Sequence, residues 1–189
     1  IDSGAAGLFG PTLGKLLANL KASGYTPEQV DEIYLTHLHA DHVGGITGAD
    51  GKAVFPNAIV RADAMESGFW LDPGTMDKAT EGMKDFFKGA MASMKPYVDA
   101  GKFKPFSGDA ELVPGIRSLS TRGHTPGHAA YVVESQGQKL VVWGDLMHVA
   151  AVQFPDPSVT IQFDADSKRA MPQRQKAYAD AAKNGYYVA

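Results

Sequence analysis

Cysteine is absent from the 189-residue chain, which excludes a disulfide framework and any metal site built on thiolate ligands. No apolar run approaches the roughly 18 residues that are needed to cross a bilayer. The formal net charge is only −3, and no basic run or aromatic-interleaved basic patch is present. We therefore expect neither a membrane nor a nucleic acid partner, and any metal ion must be held by histidine and carboxylate side chains.

Histidine is also scarce, and its six copies fall in only three short stretches. The first stretch follows an apolar run at 32–35 and holds four metal-capable side chains: His37, His39, Asp41 and His42. The run predicts a buried strand. If its extended geometry continues through residue 39, the first two imidazoles point to the same side, because side chains alternate along a strand. The last two side chains then begin a new turn and face the same place from another direction.

The alternative interpretation is a hydrogen-bonded core histidine, which is the commoner state of a lone histidine on an apolar face. Four metal-capable side chains so close together would leave several buried donors and acceptors in need of partners if no metal were bound. The stretch therefore predicts a site for two adjacent metal ions. Gly44-Gly45, which follow it, predict a turn that lets the backbone pass close to the bound group.

The second stretch, Gly123–His128, follows a predicted strand at 115–120. His124 is predicted to reach one metal ion from the far side. His128 is predicted to support the ligands, or to be structural, rather than to bind metal itself.

The third stretch begins with Gly144-Asp145, at the end of the most apolar strand in the chain. Two divalent ions about 3.5–4 Å apart need a bridging anion, and a carboxylate at a rigid strand end suits that role. Asp145 is therefore predicted to bridge the ions, the alternative being an aspartate that caps a turn. His148, which comes shortly after it, is predicted to line the substrate pocket, with simple surface exposure as the alternative.

Hydrophobic periodicity predicts an α/β fold with helices outside the sheets, in one domain spanning residues 1–189. Helices are predicted at 11–23, in a helical insert at about 63–100, and from 166–167 to 184–185, where Pro172 marks a kink or the true start. Strands are predicted at 54–55, 58–60, 115–120, 130–134 and 140–143. Residues 1–4 have the character of a strand end and 186–189 that of a strand beginning, so we expect a chain truncated at both ends.

Two of the predicted helical regions carry apolar stripes. Leu13, Leu16, Leu17 and Leu20 lie at helical spacing, which predicts that the first helix packs on a sheet. In the insert, methionine and aromatic residues recur three and four positions apart, which predicts core packing. In the alternative interpretation, Phe69-Trp70 form a pocket wall.

Three motifs, one from each stretch, together resemble the metallo-β-lactamase superfamily: His-x-His-x-Asp-His, Gly-His-Thr-Pro-Gly-His and Gly-Asp. Within it, the chain is similar to the methyl parathion hydrolase group at Gly7–Gly10, Phe55–Ala58 with Arg61–Asp63, Phe86–Ser93 and Ala150–Phe154. The resemblance implies an αβ/βα sandwich with a dinuclear metal centre at the edge between two sheets. It also implies a homodimer and a periplasmic or secreted location.

The resemblance further implies a role for each ligand. The implied set is three histidines for one ion, an aspartate and a histidine for the other, and one bridging aspartate: His37, His39 and His124; Asp41 and His42; and Asp145. A further histidine ligand is expected beyond Ala189. Asp41 and Asp145 are the predicted catalytic residues, and Asp2 is expected to support the ligands without binding metal. The two divalent ions are expected to be zinc, with iron, manganese or cobalt as alternatives.

The group's substrate pocket is aromatic, and the matching residues here are Phe9, Trp70 and Phe86. The expected chemistry is attack by a metal-bound hydroxide on phosphorus or carbonyl carbon, with aryl phosphotriesters, aryl esters or lactones as small-molecule substrates. The polar imidazole of His148 beside Asp145 favours a lactone or ester over a bulky neutral phosphotriester. Two alternatives stay open: an iron-dependent redox enzyme of the same fold, and a non-catalytic metal-binding homologue.

Overall fold

Two short strands pair in parallel within the first 105 residues: β1 (Glu32–Tyr34) and β2 (Ile59–Arg61). The computed structural model describes residues 1–189, which form two units, Ile1–Pro105 and Phe106–Ala189. The first unit also contains five helices: α1 (Leu16–Ala22), α2 (Ala40–Val43), α3 (Ala64–Trp70), α4 (Pro73–Lys78) and α5 (Glu81–Asp99). The single domain predicted over residues 1–189 stays a prediction.

The predicted helical region at 63–100 packs one apolar face into the core of the first unit. α5 contributes four buried side chains to that core: Phe87, Ala90, Met94 and Tyr97. The hydroxyl of Tyr97 donates to the carbonyl of Ile46 at 3.0 Å and accepts from the amide of Phe55 at 3.1 Å, so it joins α5 to two other segments of the first unit. The core packing predicted from the methionine and aromatic spacing is confirmed.

The predicted first helix is shorter than its leucine pattern suggests. α1 starts only at Leu16, after a turn in which Gly14 has the left-handed φ of +73°. Leu13, Leu16 and Leu17 are exposed, and Leu20 is the one leucine of the stripe that packs against the core. The predicted packing of the whole stripe on a sheet is therefore wrong.

Two predicted strands of the first unit are also absent. Residues 1–4 do not form a strand, because Asp2 and Gly4 have left-handed φ values of 52° and 70°. Residues 54–55 lie outside any strand as well, since pairing there is limited to one bridge between Thr47 and Ala53.

The second unit is built on a five-stranded sheet. Its strands follow one another in chain order: β3 (Glu111–Val113), β4 (Ile116–Ser120), β5 (Ala129–Ser135), β6 (Gln138–Val142) and β7 (Tyr187–Val188). Neighbours are antiparallel except β6 and β7, which are parallel. Gln136 and Gly137 turn the chain between β5 and β6 with φ values of 49° and 73°, as a tight hairpin requires. The strands predicted at 115–120, 130–134 and 140–143 are confirmed.

Two helices complete the second unit, the single turn α6 (Ala150–Gln153) and the long α7 (Ser167–Asn184). The side chain of Asp166 caps the start of α7, and Gly185 ends it with φ 65°, so the predicted bounds are confirmed. Pro172 lies inside this helix rather than at its start. None of the helices combines the length and the apolar character that crossing a membrane requires.

Candidate metal centre

His37 and His39 converge in the segment that follows β1. The Nε2 atom of His37 lies 3.0 Å from Nδ1 of His39, and both side chains are buried. They face one place, as predicted, although β1 already ends at Tyr34. The Thr36 hydroxyl donates to Asp2 at 2.9 Å and lies 3.0 Å from Nδ1 of His37. This hydroxyl therefore accepts the proton of His37 Nδ1, which leaves the lone pair on Nε2.

Asp41 and His42 lie on α2, the new turn that the sequence predicts. Nδ1 of His42 is 2.9 Å from Oδ2 of Asp2, and Nε2 of His42 is 3.7 Å from Oδ2 of Asp41. Asp2 also accepts from the amide and the hydroxyl of Thr36, at 2.8 and 2.9 Å. A carboxylate on Nδ1 fixes the imidazole tautomer and directs the Nε2 lone pair outward. Asp2 is therefore placed to hold the His42 imidazole, and its expected role in supporting a metal ligand stays a prediction.

The close backbone approach predicted at Gly44-Gly45 is made to another part of the chain. A Cβ on Gly45 would lie only 2.2 Å from the carbonyl oxygen of Ser3. The amide and the hydroxyl of Ser3 both donate to the carbonyl of His42, at 2.8 and 2.9 Å. Because Gly45 has no side chain, Ser3 can hydrogen-bond to the turn that carries His42. The space beside Gly45 is therefore filled by Ser3 and not by a bound group.

Two of the three predicted pocket aromatics lie against His39. Its ring forms T-shaped contacts with Trp70 and Phe86 at centroid distances of 5.2 and 5.3 Å. Trp70 is only 1% exposed and belongs to the core, whereas Phe86 is partly exposed. Phe9 is exposed and, together with Asp41, lines a cavity of about 430 Å³. Phe86 and Phe9 are therefore the accessible rings, and Trp70 backs His39 from the core.

His124, in the second unit, lies between two carboxylates. Its Nδ1 is 3.0 Å from Oδ1 of Asp164, and its Nε2 is 3.2 Å from Oδ2 of Asp145. Burial alone would lower the pKa of the His124 imidazole, but the hydrogen bonds to the two carboxylates outweigh burial and raise it. The place between His124 Nε2 and Asp145 therefore favours a positive charge, whether a proton or a metal ion.

Two histidines hold Asp145. Its backbone amide donates to Nε2 of His128 at 3.1 Å, and Nδ1 of His128 lies 2.8 Å from the hydroxyl of Thr121. Because its Nε2 accepts this bond, His128 supports the backbone at Asp145, and the expectation that it does not bind metal stays a prediction. Nε2 of His148 lies 3.1 Å from Oδ2 of Asp145. His148, predicted to line the pocket, thus contacts a predicted ligand directly.

The donor atoms in each unit fit a divalent metal ion. They are imidazole nitrogens and carboxylate oxygens without thiolate, a set that suits zinc and also iron, manganese or cobalt. Two ligands of one tetrahedral ion lie about 3.3 Å apart when the bonds are about 2.0 Å long. His124 Nε2 and Asp145 Oδ2, at 3.2 Å, have that separation.

Asp164 and Arg174, which lie behind His124, are not among the site residues predicted from the sequence. Asp164 belongs to an irregular segment without a motif, so only the fold brings it to the imidazole. Arg174 did carry a signal. It shares one face of α7 with the buried Ala170 and with Ala177, which packs against the sheet, so an arginine occupies a position where apolar residues are expected.

Comparison with known proteins identifies the family. Residues 1–181 match the family described as the Metallo-beta-lactamase superfamily. The chain belongs to the metallo-β-lactamase superfamily. It is 31% identical to an N-acyl homoserine lactonase of Bacillus cereus over 128 residues, which are 68% of this chain and 42% of the relative. This member of the superfamily thus spans less than half the length of that curated relative.

Two solved structures resemble the chain over all or nearly all of its length. The crystal structure of hydrolase AbOPH has a TM-score of 0.92 and 43% identity, covering 100% of this chain and 65% of that one. AidC, a dizinc quorum-quenching lactonase in complex with a product, has a TM-score of 0.88 and 26% identity, covering 99% and 65%. The α/β fold of the metallo-β-lactamase type, predicted from the sequence, is confirmed.

Proposed function

We propose that this member of the metallo-β-lactamase superfamily is a hydrolase that depends on two divalent metal ions, with zinc as the native metal. The proposed ligands are the six residues that the family resemblance implies: His37, His39, Asp41, His42, His124 and Asp145. The dizinc lactonase among its structural relatives supports the metal and its number. A homodimer and a periplasmic or secreted location stay predictions.

The observation that carries this proposal is the setting of His124. One carboxylate accepts from its Nδ1, and a second carboxylate, that of Asp145, faces its Nε2 at 3.2 Å. A neutral imidazole that donates from Nδ1 presents its Nε2 lone pair to that second carboxylate, which is unfavourable without a cation between them. Asp2 favours the same tautomer for His42. Two of the proposed imidazole ligands are therefore oriented by a carboxylate at Nδ1.

The ions would supply Lewis acidity and an activated water, the two requirements of ester hydrolysis without a serine or cysteine nucleophile. The residues of the chain have separate roles. The four proposed histidine ligands and the carboxylates of Asp41 and Asp145 would bind the metal ions. These two aspartates are also the proposed catalytic residues. Phe86 and Trp70 exclude water from one side of His39, and His148 orients the carboxylate of Asp145 by a hydrogen bond.

Lactones and aryl esters are the proposed substrates. An N-acyl homoserine lactonase is among the relatives by sequence, and a quorum-quenching lactonase is among the relatives by structure. The polar His148 beside Asp145 suits a substrate with hydrogen-bonding oxygens around the reacting carbonyl. The aromatic rings near His39 suit an apolar or aromatic substituent on it.

Aryl phosphotriesters are a second candidate substrate class. The aromatic surroundings of His39, together with the resemblance to the methyl parathion hydrolase group, favour an aryl leaving group. We propose this as an activity secondary to lactone or ester hydrolysis.

The test is a pair of assays on the purified full-length, zinc-loaded protein. We would measure kcat/KM for an aromatic lactone and for an aryl phosphotriester, with metal content determined on the same sample. Asp145→Asn is the matched inactive control, because it keeps the size of the side chain and removes the carboxylate. We expect turnover of both substrates, a preference for the lactone, and loss of both activities in the control.

Other outcomes identify the alternatives. A preference for the phosphotriester would contradict the proposed substrate order. Failure on both substrates with two zinc ions bound would contradict the hydrolase proposal and favour a non-catalytic metal-binding homologue. A coloured, redox-active iron centre in the protein as isolated would favour the redox enzyme instead.

A further inference from the structure

We propose that Asp164 and Arg174 are positioning residues that hold His124 in its metal-binding orientation. The inference rests on the proposed metal-dependent function. Neither residue belongs to a histidine motif, and neither is one of the proposed ligands. Both act through another residue, Asp164 through the His124 imidazole and Arg174 through Asp164.

Asp164 holds His124 by a buried hydrogen bond. Its side chain is 0% exposed, and its Oδ1 lies 3.0 Å from Nδ1 of His124. Its Oδ2 accepts from the amide of Ile161 at 3.4 Å and faces Nη2 of Arg174 at 3.6 Å. A buried carboxylate is costly unless such partners compensate it, so its presence against His124 calls for a role. Accepting from Nδ1 fixes the tautomer and the ring plane and leaves the lone pair on Nε2.

Arg174 connects Asp164 with the segment that carries Asp145. The arginine is fully buried, and its Nε donates to the carbonyl of Leu146, the residue after Asp145, at 2.6 Å. Its Nη1 donates to the carbonyls of Pro157 and Val159, at 3.2 and 2.7 Å. One guanidinium thus fixes the backbone directly after one proposed ligand and neutralises the carboxylate behind another.

Backbone contacts also connect the segment around Asp164 with the turn that carries His124. The amide of Ala165 donates to the carbonyl of His124 at 2.9 Å, and a Cβ on Gly123 would lie 2.3 Å from the amide nitrogen of Ala170. This contact leaves no room for a side chain at residue 123. The distance between Asp164 and His124 is therefore set by the backbone and not only by the side-chain contact.

A purely structural role is the competing explanation, because a buried ion pair can serve the fold alone. The two roles differ in what a nearly isosteric change does. Asp164→Asn keeps the shape, and its amide oxygen can still accept from Nδ1, but the charge is gone. A structural role predicts a change in stability only, whereas a positioning role predicts a change in metal affinity and in ligand geometry of the folded protein.

The experiment compares full-length wild type with Asp164→Asn, Asp164→Ala and the control Asp156→Asn. Asp156 is an exposed carboxylate of the same irregular segment, and its side chain bonds to Ser158 rather than to a histidine. Zinc affinity is measured by competition with a chelator, and ligand geometry by the visible absorption of the cobalt-substituted protein. Thermal unfolding of the metal-free proteins reports stability separately.

We expect zinc affinity to fall about 10–100-fold in Asp164→Ala and by less in Asp164→Asn, with altered cobalt spectra and an unchanged Asp156→Asn. Arg174→Met should weaken zinc binding too, and the Asp164→Asn/Arg174→Met double variant should lose less than the product of the two single losses, because the residues act in series. Wild-type affinity and spectrum in folded Asp164→Asn and Asp164→Ala would overturn the proposal. Strictly multiplicative losses would overturn the part assigned to Arg174. Absence of zinc binding by the wild type would overturn the proposed function itself, and this inference with it.

Discussion

The Oδ2 atom of Asp2 lies 2.9 Å from Nδ1 of His42, and Asp164 repeats this contact on His124 at 3.0 Å. Each unit thus supports one proposed imidazole ligand by a carboxylate outside the histidine motifs. The Asp2 contact comes from the start of the chain, where the left-handed φ of 52° turns the side chain back toward Thr36 and His42. Two proposed ligands, His42 and His124, are therefore each held by a carboxylate that is not itself among the proposed ligands.

Replacing Asp2 by alanine should weaken zinc binding about 10–100-fold, because His42 loses the partner that fixes its tautomer. The amide and hydroxyl of Thr36 lose their acceptor as well, so the free energy of unfolding should fall by about 1–3 kcal/mol. Asp31→Ala, at an exposed aspartate just before β1, is the control and should leave zinc affinity unchanged. Chelator competition on both variants measures the effect. Equal zinc affinities in the two would contradict the prediction.

Replacing Gly45 by alanine should destabilise the protein by about 1–3 kcal/mol, because the new Cβ would meet the carbonyl of Ser3 at 2.2 Å. That carbonyl belongs to backbone, so it cannot move aside as a flexible side chain would. Gly68→Ala is the matched control, since Gly68 is exposed on α3 with nothing within 4 Å of the added atom. This control should gain about 0.5–1 kcal/mol from helix propensity. Urea unfolding of both variants measures whether the free energy of unfolding falls or rises. An unchanged free energy of unfolding in Gly45→Ala would contradict the prediction and show that the turn adjusts to the added Cβ.

Replacing Tyr97 by phenylalanine should cost about 1–3 kcal/mol of unfolding free energy at neutral pH, because the buried amide of Phe55 loses its acceptor and the carbonyl of Ile46 keeps only the amide of Val54 as a donor. Tyr25→Phe, at an exposed tyrosine, should cost almost nothing. Burial raises the pKa of Tyr97, so the folded state favours the neutral phenol. The stability that this phenol contributes is full below pH about 10, the usual tyrosine pKa, and is lost as the pH rises above it. The difference between wild type and Tyr97→Phe should therefore narrow in alkaline urea titrations, and a constant difference would contradict this.

Local sequence signals predicted the parts of the fold that depend on neighbours in the chain. Both ends of α7 follow from capping residues, Asp166 at its start and Gly185 at its end. The leucine stripe at 13–20 was misleading, because periodicity shows which residues share a face but not whether that face is covered. Positive φ values at Asp2 and Gly14, which prevented the expected elements, carry no reliable signal in a single sequence.

The candidate site also contains residues that local sequence signals predict and residues that only the fold brings together. The clustering of histidines made His37, His39, His42 and His124 detectable, since chemistry of this kind needs those residue types close together. Asp164 lies 40 positions from His124 in the chain, and nothing near it indicates a partner. Its role depends on tertiary contacts that the backbone creates between Ala165 and His124. Supporting residues of this kind can be identified only once the fold is known.

Substituting His148 by leucine tests the link between the site and its substrate. Nε2 of His148 is 3.1 Å from Oδ2 of Asp145, and leucine removes this hydrogen bond while adding apolar surface beside the reacting centre. We expect the ratio of kcat/KM for aryl phosphotriesters to that for aromatic lactones to rise roughly 2- to 10-fold, the range that corresponds to one hydrogen bond.

Two further variants separate the hydrogen bond from general disturbance of the loop. His148→Gln keeps a donor at this position and should keep the ratio close to that of the wild type. Val149→Leu changes the exposed neighbour of His148 without touching Asp145 and should leave the ratio unchanged. A ratio that stays constant in His148→Leu would show that His148 does not select between the two substrate classes. Selection would then have to come from the aromatic side, where Phe86 meets the ring of His39.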